Sequence, residues 1–222
     1  MIILFAGRWE AGLFLGEFLR RENINTATLF AIPSGGIPVA MAVCTKISAK
    51  MDILVVKKLR LPYSPETGFG AVAFDGTIYL NERIVSKQTF ATSEYHEIYE
   101  QTKREAILLN EQLRGSQHYP EKVNEPLVVV DDGLATGYTI LAGARSLQKL
   151  YPNSSIAIAA PVSPRDTFAL LQSEFPRIYV PHISDDPFFA VGNYYVDFHQ
   201  ISLSELQSLL TTCQNMGILL SG

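Results

Sequence analysis

A chain of 222 residues with 18 Lys plus Arg against 22 Asp plus Glu has a formal net charge of −4, and 47% of its residues are hydrophobic against 18% charged. That composition is globular; it excludes the disordered, collagen-like and coiled-coil classes and suits one α/β domain. With no Lys/Arg run, the chain lacks the clustered positive charge that a nucleic-acid partner demands, so a polyanion could be met only by a local positive potential.

The first residues, Met1-Ile-Ile-Leu-Phe-Ala6, are apolar but short and run into Arg8, Trp9 and Glu10. They read as neither a secretory leader nor a membrane anchor, and no apolar run approaches the roughly 18 residues that span a bilayer. Glu10–Arg21 is a predicted helix with a basic end, Arg20-Arg21, which suits a helix C-terminus. Ala27–Ile32 is a strand closed by Pro33-Ser34-Gly35-Gly36, and Ile37–Ile47 is a helix with Pro38 tolerated in its first turn. Asp52–Lys57 is a buried strand, and Lys58–Gly70, with two prolines and two glycines, is a loop. Asp75-Gly76 between Ala71–Phe74 and Thr77–Leu80 marks a hairpin.

Thr92–Arg114 is the longest predicted helix, stopped by Gly115. Strands follow at Leu127–Asp131, Ile156–Val162 and Arg177–Pro181, with helices at Tyr138–Leu150 and Asp166–Glu174. Ser202 with Glu205 three residues on is a capping box that opens a C-terminal helix. Strands apolar on both faces, alternating with helices, imply an α/β fold with an open, mainly parallel sheet covered on each side. Cys44 and Cys213 lie far apart in apolar stretches and read as buried free thiols, so the expected compartment is reducing and cytoplasmic.

In such sheets ligands bind beyond the carboxyl ends of the strands. The first strand is followed by Ser34-Gly35-Gly36, the second by Lys57-Lys58, and the central one by Asp131-Asp132-Gly133-Leu134-Ala135-Thr136-Gly137-Tyr138-Thr139. Two adjacent acids at a strand end can accept hydrogen bonds from a diol or hold a hydrated cation. Thr136-Gly137-Tyr138-Thr139 then enters a helix, whose free N–H groups and dipole form an anion site. A diol beside a phosphate describes a ribose 5-phosphate. A lone Asp-Asp-Gly would be no more than a turn, and it is the whole string that is constrained. The chain has no GxxxxGK[ST] and no GxGxxG, which removes the nucleotide P-loop and dinucleotide readings.

Val128–Thr139 resembles the phosphoribosyl-pyrophosphate signature of the type I phosphoribosyltransferases, and Ala31–Ala40 resembles their pyrophosphate loop. The similarity continues through Leu54–Leu59, Pro65-Glu66, Gly70–Val72 and Pro187–Gly192, in the manner of members with no established acceptor. The resemblance implies that Asp131 and Asp132 hold the ribose hydroxyls of the donor. It implies that Leu134, Ala135, Thr136, Gly137, Tyr138 and Thr139 hold the 5-phosphate, and that Ser34, Gly35 and Gly36 cradle the pyrophosphate in a loop that often contains a cis non-proline peptide. Lys57 or Lys58 would neutralise the pyrophosphate, with Arg60 joining on closure of a mobile lid formed by 58–80. Tyr63 and Glu66 are lid candidates for contact with substrate, and plain loop roles serve them equally. Mg²⁺ is the implied cofactor, held by substrate and water near Asp131 and Asp132 without a dedicated protein cage.

The family reaction displaces pyrophosphate from the anomeric carbon by a nitrogenous base or similar small-molecule acceptor, within a core topped by a small hood that here would come from the terminal segments. Members are commonly homodimers. Relatives acting on 6-oxopurines carry an acid one residue before the Thr-Gly, where this chain has Ala135, which turns the expectation away from those acceptors without selecting another. A sensor that binds the donor without turning it over is the competing expectation. The stripe Phe188, Phe189, Val191, Tyr194, Tyr195 reads as core packing, and the four histidines as solvated or capping residues.

Overall fold

The computed structural model describes residues 3–61, 64–86, 92–116 and 118–220, and at 64–67, 92 and 93 the backbone alone. Helix α1 (Arg8–Arg21) leads into β1 (Thr26–Ala31), α2 (Gly36–Cys44) and β2 (Ser48–Ile53). A β-ribbon follows, with β3 (Val56–Leu61), β4 (Ser64–Ala73) and β5 (Ile78–Leu80), then the short α3 (Glu82–Val85) and the long α4 (Thr92–Arg114). The second half is β6 (Leu127–Val130), α5 (Tyr138–Leu150), β7 (Ile156–Ala159), β8 (Val162–Pro164), α6 (Arg165–Glu174), β9 (Ile178–Tyr179), β10 (His182–Ser184), a 3₁₀ turn at Val191–Tyr194, and α7 (Leu203–Asn215).

The central sheet runs β2-β1-β6-β7-β9 and is parallel throughout. β6 and β7 are wholly buried, and β1 is buried from Ala27 on, because helices cover both faces: Leu29, Phe30, Val128, Val129, Ile158 and their neighbours form one core with Leu15, Ile37, Val39, Leu141 and Leu147 of the helices. From β1 the chain crosses through α2 to β2, and from the adjacent β6 it crosses through α5 to β7, in the opposite direction along the sheet. Right-handed crossovers in opposite directions place those two helices on opposite faces. The carboxyl ends of β1 and β6 therefore flank the switch point of the sheet, the place where ligands bind in such folds.

Three expected elements take another form. The strand expected at Asp52–Lys57 holds the apolar run Ile53–Val56, yet β2 stops at Ile53 and the chain turns at Leu54-Val55 into the ribbon; both sides of the break are buried, so hydrophobicity carries no mark of it. The loop expected at Lys58–Gly70 is most of β3 and β4, antiparallel from Val56↔Ala73 to Leu61↔Ser64 with register shifts on either side of Arg60. Leu59, Leu61, Phe69 and Val72 bury a cluster of their own beneath Tyr95, Ile98 and Tyr99 of α4. Pro65 falls before the part of β4 that pairs with β5, at Gly70–Val72, so its missing N–H breaks no ladder on that side. Gly70 is needed there, since a Cβ would strike the Tyr79 carbonyl. Finally, the strand expected at Ile156–Val162 ends at Ala159, and after Pro161 the separate β8 pairs in parallel with β10.

The hairpin turn and the helix caps match expectation. Gly76 turns with φ +83°, Asp75 accepts from the Thr77 N–H and hydroxyl, and Ser202 with Glu205 completes the capping box of α7. Cys213 is buried and Cys44 partly so, both free. Burial pushes the Cys44 thiol up to about 12 and Cys213 up to about 11, so neither is a reactive thiolate.

Candidate active site

Two loops meet at the switch point. After β1 comes Pro33-Ser34-Gly35-Gly36, with a cis peptide at Pro33–Ser34; after β6 come Asp131 and Asp132. The contact between them explains the glycines. A Cβ at Gly35 would collide with the Asp132 carboxylate, and one at Gly36 would come within 2.6 Å of the Val130 carbonyl oxygen, so only the bare backbone fits. The Asp131 N–H reaches the Ala159 carbonyl at 3.3 Å and the Leu134 N–H reaches Val162 at 2.9 Å, pinning both ends of the acidic turn.

From Leu134, which is buried, the chain rises to exposed Ala135 and Thr136 and enters α5 at Gly137. Gly137 is left-handed, with φ +77°, a conformation that glycine adopts without strain. The Thr167 hydroxyl donates to the Ala135 carbonyl at 2.5 Å, and the Tyr138 hydroxyl meets the Asn81 amide of the ribbon. The first-turn N–H groups of α5 have no intrahelical acceptor and carry the positive end of the helix dipole. Thr139, partly buried, is the second residue of that turn. A cleft of about 950 Å³ opens on Ala135 and Thr136 from the α6 and β5 side, and a second of about 550 Å³ opens on Arg8 between α1, α2 and α7.

The lysines separate. Neighbouring residues of a strand point to opposite faces: Lys57 lies 3.9 Å from Glu105 of α4, whereas Lys58 is exposed and its charge acts on Asp131. Arg60 is exposed farther along β3. Tyr63 and the Glu66 side chain lie outside the described residues.

Burial pushes the Asp131 carboxyl well above the usual carboxylate range, the Asp132 charge beside it acts in the same direction, and Lys58 pulls the other way. Burial also raises Asp132, against the pull of Arg8. The pair is therefore short of positive charge and hydrogen-bond donors, and a ligand bringing either would relieve it. Among the described residues no group of three or more His, Cys, Asp or Glu is placed to hold a metal ion.

Two contacts escaped the sequence. The Arg8 Nε donates to Asp132 Oδ2 at 2.7 Å, and the Tyr195 hydroxyl donates to the Asp132 carbonyl at 2.5 Å. No spacing links residue 8 to residue 132, and Tyr195 read as one of a packing stripe. That stripe divides: Tyr194 and Tyr195 are buried against Phe5, Ala11 and Val162 with Phe189 and Val191 partly buried beside them, but Phe188 is 86% exposed. His199 bonds Asp197 and Glu205 near the start of α7.

The family model for the phosphoribosyl transferase domain matches residues 14–192, and the chain belongs to that family. Two curated relatives from Mycobacterium tuberculosis, of strains CDC 1551 / Oshkosh and ATCC 25618 / H37Rv, each named "Putative phosphoribosyl transferase", are 30% identical over 210 residues. The match covers 93% of this chain and 46% of theirs, so the chain spans about half the length of those relatives. The crystal structure of TT1426 from Thermus thermophilus has the same fold, with a TM-score of 0.73 at 24% identity over 95% of this chain and 99% of that one. Among the described residues no helix is long and apolar enough to cross a membrane.

Proposed function

We propose that this chain is a Mg²⁺-dependent phosphoribosyltransferase that takes phosphoribosyl pyrophosphate as donor and passes its ribose 5-phosphate to a nitrogenous base or similar small acceptor. The observation that carries the reading is the contact at the switch point, where the Gly35 backbone lies against the Asp132 carboxylate, Gly36 lies against the Val130 carbonyl, and the α5 N-terminus follows five residues after Asp132. Three chemistries thus adjoin: bare backbone for a pyrophosphate, acceptors for a diol and a helix N-terminus for a phosphate. One small donor carries all three groups.

In this reading Asp131 and Asp132 accept from the ribose 2- and 3-hydroxyls, and the N–H groups of 134–139 with the Thr136 and Thr139 hydroxyls hold the 5-phosphate. Lys58, on the Asp131 side of the ribbon, faces the pyrophosphate. Lys57, beside Glu105, has the supporting position, and Arg60 adds charge if the ribbon closes. The C1–O bond to pyrophosphate breaks, the N–C1 bond forms and the acceptor nitrogen loses its proton. Catalysis is then mainly stabilisation of a leaving anion in a water-poor crevice. Two adjacent carboxylates fit Mg²⁺, which prefers substrate phosphates and water to a protein cage; when bound, it would offset the charge of the leaving pyrophosphate. Ala135 supplies no proton-handling group, which disfavours 6-oxopurine acceptors.

Calorimetry with phosphoribosyl pyrophosphate and Mg²⁺, followed by a pyrophosphate-release screen over nitrogenous bases, tests the reading. Binding with release for at least one acceptor is expected. No binding at millimolar donor overturns it, and binding without release for any base would point to a donor sensor. The double variant Asp131→Asn with Asp132→Asn should lose donor binding by about 100-fold or more while remaining folded; retained affinity would mean that the ribose is held elsewhere.

A further inference from the structure

The switch-point acids are reached from both ends of the chain. Residues 4–6 pair with 194–197: the Leu4 and Phe5 N–H groups reach the Tyr194 carbonyl at 3.0 Å, and Val196 and Asp197 return to Phe5 and Ala6 at 2.9 Å. Arg8, the first residue of α1, stands at the end of this seam. Its Nε donates to Asp132 Oδ2 at 2.7 Å, its Nη1 donates to the His199 carbonyl at 2.9 Å, and its guanidinium lies over the Phe198 ring at 4.1 Å. The side chains of the ion pair are only 10% and 14% exposed. Arg8 and residues 195–199 all lie outside the segment 14–192 that the family model matches.

We propose that Arg8 is a positioning residue of the ribose site, a clamp through which the two terminal segments of the chain fix the Asp132 carboxylate for the donor diol. The inference rests on the donor reading above. A guanidinium held on two acceptors and over a ring cannot swing away without losing all three contacts, and its planar fork is suited to that arrangement in a way an ammonium is not. The Tyr195 hydroxyl holds the backbone of the same residue at 2.5 Å, so Asp132 is fixed at its carboxylate by one terminal segment and at its carbonyl by the other. The same oxygen, Oδ2, lies against Gly35, and Arg8 Nε is 3.1 Å from where a Cβ would stand on that glycine. The distance between the diol acid and the pyrophosphate loop is therefore set by Arg8 rather than by either loop alone. Arg8 touches no reacting atom and acts through Asp132.

The test compares the wild-type chain, Arg8→Ala and Arg8→Lys by calorimetry with two probes, ribose 5-phosphate and Mg²⁺-pyrophosphate, with thermal melting to verify folding. Arg8→Ala should weaken ribose 5-phosphate by about tenfold or more while leaving pyrophosphate within about twofold. Arg8→Lys, which keeps the charge but not the fork, should recover only part of the loss. Low, non-denaturing guanidinium, matched against sodium chloride, should restore ribose 5-phosphate binding to Arg8→Ala alone. Equal losses for both probes, or full ribose 5-phosphate affinity in Arg8→Lys and Arg8→Ala, would overturn the proposal. If Arg8→Ala does not fold, the Arg8→Lys comparison decides. If wild type binds neither phosphoribosyl pyrophosphate nor ribose 5-phosphate, the donor reading itself falls, and the clamp with it.

Discussion

Arg114 and Arg8 each meet an aspartate at 2.7 Å, in two regions of the molecule that use the same pair of residues differently. At the end of α4, Arg114 grips Asp52 of β2 with two nitrogens, at 2.7 and 2.8 Å, and spends further donors on the Ser116 and His118 carbonyls. The Tyr119 ring lies 3.6 Å from its guanidinium carbon, and the Ile53 N–H donates to Asp52 at 2.7 Å. The side chains of that pair are 4% and 5% exposed, and both charges are met on every side. At the switch point Arg8 gives Asp132 one bond, and a second carboxyl stands beside it with its titration pushed upward by burial. A satisfied buried pair serves the fold; an undersupplied one leaves acceptors for a ligand to complete.

The comparison can be broken first at its structural half. Asp52→Ala would leave Arg114 buried without its anion, and we expect a loss of about 3–5 kcal/mol in urea unfolding. A loss below about 1 kcal/mol would show that the Arg114 network is not structural. Gly35→Ala attacks the other half. The new Cβ must displace the Asp132 carboxylate and thereby strain the Arg8 contact; about 1–3 kcal/mol of stability should go, together with donor binding. A stable variant with unchanged affinity would mean that the two loops can part freely.

The smallest effect has the opposite sign. In the unfolded chain Asp131 ionises near pH 4, whereas in the folded protein its carboxyl holds its proton to higher pH. The unfolded state therefore gains stability relative to the native state as pH rises above about 4. Asp131→Asn removes that effect, so it should raise Tm at pH 7, with the gain shrinking as pH falls toward about 4 and absent below it. A lower Tm at neutral pH would mean that the Asp131 charge is better accommodated than its burial implies. A carboxylate proposed to bind ligand whose removal stabilises the fold would stand in direct contrast to Asp52.

Much of this was legible in the sequence. The parallel sheet followed from apolar runs alternating with amphipathic ones, and α5 begins and ends at Tyr138 and Leu150, as the stripe of Ile140, Ala144, Leu147 and Leu150 predicts. The loops at 34–36 and 131–139 could be placed at strand ends because small, charged and hydroxylated residues follow buried runs there. The ribbon could not be read from 58–70, because prolines and glycines mark breaks in most contexts and the α4 aromatics that make it a packed sheet lie more than twenty residues away.

Which residue types stand at the strand ends could be read from the chain alone, because local hydrogen bonding and burial period are properties of neighbouring residues. Long-range packing, by contrast, set β1 beside β6, put Glu105 of α4 next to Lys57, and brought Arg8 to Asp132 across 124 positions. Those are outcomes of how the strands order and the terminal segments pair, and a net charge of −4 gives no sign that one of the chain's few cations is held against its pair of acids.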